Sequence, residues 1–369
     1  MQLKTDRRAR GQKGGALAVQ LPLLPAAPSV RLPLLDQRQR GTDFIGLPVR
    51  SLLNSPESTG MAFWSINPYV GCEFGCSYCY ARDTHRWVTE RATTSSDETD
   101  RSEKTGRSGK SGRSDKEEGS SDLPVLPVLS DSPDLQRAEG MSPADLFEHR
   151  IYVKEDVGKV LAQTLDPARI GDTPIVIGTA TDPYQPAERQ FLLTRRLLET
   201  FRGFKGLTIS ITTKSSLVAR DVGLLVELSR RHEVSVNLSL ATVDPVLLRQ
   251  LEPRTPLPHA RLRALRILTG AGVEGGVMIA PILPGLTDSW SSLAGVVEAA
   301  RSAGARFVVG HALRLGSAAR ARFLPLLHRD FPRLAPRYEQ HYGNRVGARG
   351  EYQKALKRRL RLVKEAYGF

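Results

Sequence analysis

The sequence predicts an α/β chain built as an incomplete parallel barrel of six strand–helix units, a partial TIM barrel. Three observations carry this expectation. Runs rich in Ile, Val and Thr alternate with helical stretches from about 175 to 316, and such alternation makes parallel βα units. Most of these runs read as nearly continuous apolar segments, as parallel strands covered on both faces do. Unusual polar residues stand at their carboxyl ends, where barrels of this kind keep their chemistry. The runner-up arrangement is an open doubly wound sheet.

Residues 1–60 form an N-terminal extension that mixes prolines, arginines and short apolar pieces such as RLPLL and VRSLL. It is expected to be partly disordered, to about 40, and then to pack onto the main domain. Arg7, Arg8, Arg10 and Lys13 precede ALAVQLPLLPAAPSV, a faint likeness to a signal peptide that Gln20, Pro22, Pro25 and Pro28 interrupt. The core domain is placed at 61–315. It opens with AFWSINPYV, counted as the first strand over Ser65–Val70.

Residues 93–122 contain no aliphatic or aromatic side chain, so they bury nothing to offset the entropy of ordering. A disordered insertion is expected over about 91–140. A surface loop tolerates it, since each doubling of length costs only about 0.6 kcal/mol. FEHRIYVKEDVGKVLAQTL then predicts a strand at Arg150–Val153 followed by a helix. Five strands come next, at 175–182, 207–214, 234–242, 275–283 and 306–313. The helix after the fourth is expected to be capped by Thr287 or Asp288 and stopped at Gly304. Residues 316–369 read as a basic helical C-terminal extension.

Composition bounds the partners. The 369 residues are 40% hydrophobic, enough for a sizeable core, and no run of about 18 apolar residues suggests a membrane span. The net charge of +14 sits at the two ends. Residues 1–60 carry nine basic and four acidic side chains and 317–369 carry thirteen and four, which leaves 61–316 neutral. Basic ends attract polyanions, nucleic acid among them, by counterion release, although a basic tail is often only solvated.

All three cysteines, Cys72, Cys76 and Cys79, lie in NPYVGCEFGCSYCYARDTHRW at the spacing C-x3-C-x2-C. This argues for a reducing compartment, the cytoplasm, and against a disulfide framework. Thiolates are soft ligands for iron. A 4Fe–4S cube needs four ligands, so a cube held here has one iron without a cysteine, as a catalytic centre leaves a position open. The spacing alone also admits zinc or a structural cluster with His85 as fourth ligand.

With Tyr78 and Tyr80 around the last cysteine, the loop resembles that of radical S-adenosylmethionine (radical SAM) enzymes. GTATDPYQPAE, ITTKSSLVARD, LEPRTP and VMIAPILPGLTD resemble, in order, the motifs of the spore photoproduct lyase-like branch of that superfamily. The resemblance implies a 4Fe–4S cluster on Cys72, Cys76 and Cys79 whose open iron binds S-adenosylmethionine. It implies reductive cleavage of that cofactor to a 5′-deoxyadenosyl radical and an electron donor of flavodoxin or ferredoxin type. Cofactor contacts fall on Thr181, Asp182, Lys214, Ser239 and Ala280, and Tyr80 lies beside the cluster. Tyr80 and Lys214 are the candidate catalytic residues. The lyase that names the branch uses a further cysteine, in the segment matching Thr179 and Ala180, as hydrogen donor. This chain has none, so repair of a thymine photoproduct is not implied and the substrate stays open.

Lys214 at a strand end calls for an anion: the cofactor carboxylate, or a salt bridge to Asp182 or Glu252. Tyr78, Tyr80 and Tyr184 are candidate radical partners. Glu252-Pro253-Arg254 reads as a salt bridge shaping the site, or else a plain helix end, and His311, near the mouth, reads as a core histidine with a substrate contact as the alternative. The competing function is a nucleic-acid-binding protein with a structural metal or Fe–S site.

Overall fold

The computed structural model describes residues 34–37, 41–84 and 143–369, with side chains from 41 to 84 and from 145 onward. The chain before 34, the predicted insertion at 91–140 and His85 lie outside the described residues.

The larger of two sheets has seven strands. They are β3 (Leu53–Asn54), β4 (Trp64–Ile66), β7 (Ile175–Ile177), β8 (Thr208–Thr213), β9 (Glu233–Ser239), β10 (Glu274–Ile282) and β11 (Phe307–Ala312). From β4 to β11 all neighbours are parallel and follow chain order, while β3 is an antiparallel edge. Ile177 lies opposite Ile66 on one side and Ile211 on the other. These side chains, with Val236, Val277 and Val308, form the buried centre.

A four-stranded sheet joins β1 (Leu34–Gln37), β2 (Asp43–Leu47), β6 (Arg150–Lys154) and β5 (Tyr69–Val70). The run expected as one strand over Ser65–Val70 is therefore two strands in two sheets. Asn67-Pro68 breaks it, because proline has no N–H for the ladder and Asn67 turns its amide to Thr179 and Ala180 instead. The predicted strand at 175–182 likewise ends at Ile177. Gly178 follows with a φ of 96°, and the GTATD segment becomes a loop.

Helices cover the sheet: α1 (Pro143–His149), α2 (Val157–Thr164), α3 (Leu193–Phe201), α4 (Val222–Leu228), α5 (Pro245–Leu251), α6 (Pro258–Gly270) and α7 (Trp290–Ser302). In α3, Leu197, Leu198 and Phe201 face the core. The cap of α7 is Ser289, whose hydroxyl accepts from Ser292 N at 3.1 Å. Thr287 and Asp288 instead satisfy Leu283 N and Gly285 N at 2.8 Å each.

The segment after 316 forms α8 (Ser317–Asp330), α9 (Ala335–Tyr342) and α10 (Gly350–Ala366). These helices are packed in. Leu356, Leu360 and Val363 of α10 belong to the same buried cluster as the sheet, and Lys354, Lys357 and Arg358 lie on its exposed side. Leu360→Ala should therefore cost about 2–4 kcal/mol of stability, as truncation of a buried leucine does. Arg358→Ala should stay within about 0.5 kcal/mol. Urea unfolding of the two variants checks this, and equal effects would mean that α10 is not part of the core.

Candidate active site

The carboxyl ends of the parallel strands open into a cavity of about 550 Å³. The candidate cluster, cofactor and catalytic residues all line it: Cys72, Cys76, Cys79, Tyr80, Thr181, Asp182, Lys214, Ser239 and Ala280.

The cysteine loop is shaped by its glycines and by backbone contacts. Gly71 has a φ of 87°, and a Cβ there would lie 2.6 Å from the carbonyl oxygen of Arg150. Gly75, with a φ of 62°, leaves room for the paired side chains of Arg254 and Glu148. Cys72 N donates to Phe147 O at 2.9 Å. Ser77 donates to Leu251 O from both its N and Oγ, at 3.0 Å. Gln185, fully buried, donates from Nε2 to Gly71 O at 3.2 Å and accepts from Glu73 N at 2.9 Å. Just beyond the loop, Asp83 accepts from Ala318 N at 2.8 Å, so the acid beside the last cysteine caps α8. Burial pushes all three thiols up, Cys76 to about 12; Asp182 adds to this at Cys72, while Lys214 opposes it at Cys76 and Arg82 at Cys79.

Thr181 donates to Gly71 O at 2.6 Å, which makes it a support of the loop. Asp182 accepts from Lys214 N at 2.7 Å, Thr213 Oγ1 at 2.6 Å and Tyr184 N at 2.9 Å. It locks the end of β8 to the loop after β7, and burial raises its carboxyl. Ser239 donates to Ala280 O at 3.1 Å, joining the ends of β9 and β10.

The anion beside Lys214 is Glu252. Lys214 Nζ lies 2.7 Å from Glu252 Oε1 and donates to Tyr78 Oη at 2.9 Å. Tyr78 in turn donates to Glu252. The other carboxylate oxygen accepts from Arg261 Nη2 and from Thr255 Oγ1 at 2.8 Å. Arg261 also donates to Ser239 O at 2.7 Å. Glu252 and Arg261 are fully buried. Burial alone would raise the Glu252 carboxyl, but Arg261 and Lys214 hold it well below the usual carboxylate range. Arg254 pairs with Glu148, which also takes Arg82.

The tyrosines separate. Tyr78 is packed edge-on against Phe323 at 6.4 Å. Tyr80 is 39% exposed, and its hydroxyl donates to Thr179 O; partial burial and Cys79 push its phenol up to about 12. Tyr184 is buried outside the cavity wall. His311, read as a core histidine with a substrate contact as the alternative, is exposed near the end of β11 and lines the cavity with Arg314. Sequence reasoning missed Gln185, Asn67 and Arg261. Arg261 carried a readable signal, because it shares a helix face with buried Leu265 and Leu268.

Among the described residues no three His, Cys, Asp or Glu side chains gather around a single ion. Cysteines of a 4Fe–4S cube bind separate irons and need no common point, so the loop fits a cluster.

Comparison with known proteins agrees with this geometry. The family model of the radical SAM superfamily matches residues 141–294. An uncharacterized protein of Mycobacterium tuberculosis is 30% identical over 334 residues, covering 90% of this chain and 82% of that one. An uncharacterized protein of Methanocaldococcus jannaschii is 27% identical over 246 residues, 67% of this chain and 70% of that one. Among solved structures, a spore photoproduct lyase mutant with dinucleoside spore photoproduct superposes at a TM-score of 0.54 with 16% identity, over 88% of this chain and 79% of that one. A double mutant with bound AdoMet and the same photoproduct gives 0.52. The fold is thus shared with that lyase, and a structural-metal nucleic-acid binder is not favoured.

Glu252→Gln should lower stability by about 3–5 kcal/mol in urea unfolding at pH 7, because Arg261 and Lys214 lose their buried anion. The sign with pH follows. A carboxyl held low binds fewer protons folded than unfolded, so its contribution is whole above about pH 4.3 and is lost as the pH falls below it. The gap between wild type and Glu252→Gln should narrow on acidification below that value. A constant gap would mean that Glu252 is not charged.

Proposed function

The chain belongs to the radical SAM superfamily, and we propose that it is an enzyme that cleaves S-adenosylmethionine reductively and applies the resulting 5′-deoxyadenosyl radical to a substrate other than a thymine photoproduct. The observation that carries this is the convergence of Cys72, Cys76 and Cys79 with Asp182, Lys214 and Ser239 on one cavity. The strand order, unreversed from β4 to β11, supports the partial-barrel reading with a 61–315 core.

Cys72, Cys76 and Cys79 would hold the cluster, and the count of three leaves one iron for the cofactor. The bound cluster supplies the electron that breaks the C–S bond of S-adenosylmethionine, taken from a flavodoxin- or ferredoxin-type donor. The chain's own residues orient the cofactor. Lys214 presents its ammonium to the methionine carboxylate, held in place by Glu252 and Tyr78. Ser239 and the segment Thr181-Asp182 line the same wall, and Ala280 offers an apolar surface for adenine. Tyr80, partly exposed at the rim, offers an O–H for exchange with a substrate radical.

Two partner expectations persist in narrower form. Among the described residues no helix is long and apolar enough to cross a membrane; a cytoplasmic enzyme is our reading. The outer face of α10 presents Lys354 and Arg358, which supports attraction to nucleic acid. Removal of 317–369 would not test it, since Phe323 packs on Tyr78 and Leu360 on the sheet. Lys354→Gln with Arg358→Gln should instead flatten the salt dependence of nucleic-acid binding by roughly two units of log slope; an unchanged slope leaves the helix merely solvated.

The decisive test is anaerobic. Protein reconstituted with iron and sulfide, then given dithionite and S-adenosylmethionine, should release 5′-deoxyadenosine. Replacing any one of the three cysteines by alanine should abolish release while far-UV circular dichroism stays unchanged. A fully loaded cluster that yields no 5′-deoxyadenosine sinks the proposal.

A further inference from the structure

A second cavity, of about 440 Å³, lies between the end of β11 and α10. It shares His311, Ala312, Leu313 and Arg314 with the wall of the cavity that holds the cysteines, so the two adjoin at the strand end. Its far wall is α10, through Leu356, Lys357 and Leu360.

The junction is built and not a loose rim. Arg314 forms a backbone bridge with Gly347. Its neighbours are tied down too: Leu313 N donates to Ile282 O at 3.1 Å and Leu315 N to Val346 O at 2.7 Å. The guanidinium therefore springs from a fixed backbone at the strand end that both cavities share. Lys357 reaches the same place from the other side and, with burial, disfavours the charged form of His311.

No carboxylate lines the second cavity. In the first, Asp182 spends both oxygens on Thr213, Tyr184 and Lys214. Among the described residues neither Arg314 nor Lys357 has an ion-pair partner. Two cations, one on a backbone held by Gly347, and an imidazole that leans neutral thus line one cavity in which no carboxylate stands. A guanidinium fork alone satisfies one carboxylate, which would leave Lys357 uncompensated. A phosphate, with two negative charges and three acceptor oxygens, matches both cations at once.

We propose that Arg314 and Lys357, beside His311, form a phosphate subsite in which a phosphate-bearing substrate is anchored while its reacting portion enters the cysteine-lined cavity. The proposal rests on reading that cavity as catalytic. It places the anchor across Tyr80 from the cluster loop, so that the group held against Tyr80 is next to the phosphate.

The test is a titration of the full-length protein with inorganic phosphate, and separately with acetate, at constant ionic strength. Binding is followed by the imidazole resonances of His311, assigned by their loss in His311→Gln. Phosphate should give a saturable shift, and Arg314→Ala and Lys357→Ala should each weaken it about tenfold, the scale of one charge-assisted contact. Lys364→Ala, on the same helix but outside the cavity, should leave it unchanged. Lys357 is exposed, so its variant reports binding without a change in folding. Equal affinity for acetate, unchanged affinity in Lys357→Ala, or an equal loss in Lys364→Ala would each overturn the assignment. The titration needs neither cluster nor turnover, so it fails or succeeds separately from the release of 5′-deoxyadenosine.

Discussion

The buried carboxylate of Glu252 is the constraint on which the site depends. One oxygen meets Lys214 and Tyr78, the other Arg261 and Thr255. These partners come from different parts of the chain: Lys214 follows β8, Tyr78 stands between two of the cysteines, and Arg261 opens α6 and reaches back to the end of β9. An ion pair at zero exposure is a poor source of net stability, because removing both charges from water costs about as much as their attraction returns. Its value here is positional. With each lone pair of the carboxylate engaged, no side chain of the group can move without leaving a buried charge exposed to nothing.

The second buried acid works from the other side. Glu148 takes Arg82 and Arg254, and Arg82 also donates to Cys76 O at 3.3 Å. The loop is thereby clamped between two carboxylates, over glycines that admit the clamps. Burial keeps the thiols protonated in the metal-free protein, so metal must displace their protons. The positive ends of Lys214 and Arg82 lie where the thiolates would put negative charge. The loop is thus held in shape by the protein's own side chains, with two cations beside its thiols.

Much of this was legible in the chain. The apolar β-branched runs predicted β8 to β11 within two or three residues, because a strand covered on both faces leaves a compositional mark. The cysteine spacing and the polar strand ends located the cavity. What could not be read was partnership. Asn67 broke an expected strand because its amide serves Ala180, 113 positions away in the chain. Thr287 and Asp288 lost the cap of α7 to Ser289 because a turn five residues long claimed them first. Lys214 signalled a need for an anion, but the choice of Glu252 over Asp182 was settled by the path of the backbone after α5. The helices beyond 316 looked like an appendage because their charge is conspicuous and their buried stripe of Leu356, Leu360 and Val363 is narrow.

The same partnerships bear on what the enzyme proposed here would not do. In the lyase that names the branch, the segment matching Thr179 and Ala180 carries a hydrogen-donating thiol. Here that segment is knitted into the wall: Asn67 holds Ala180 N and Thr179 Oγ1, and Tyr80 donates to Thr179 O. The phenol of Tyr80 lines the cavity beside this segment. A substrate other than a thymine photoproduct would meet Tyr80, His311 and Arg314 there.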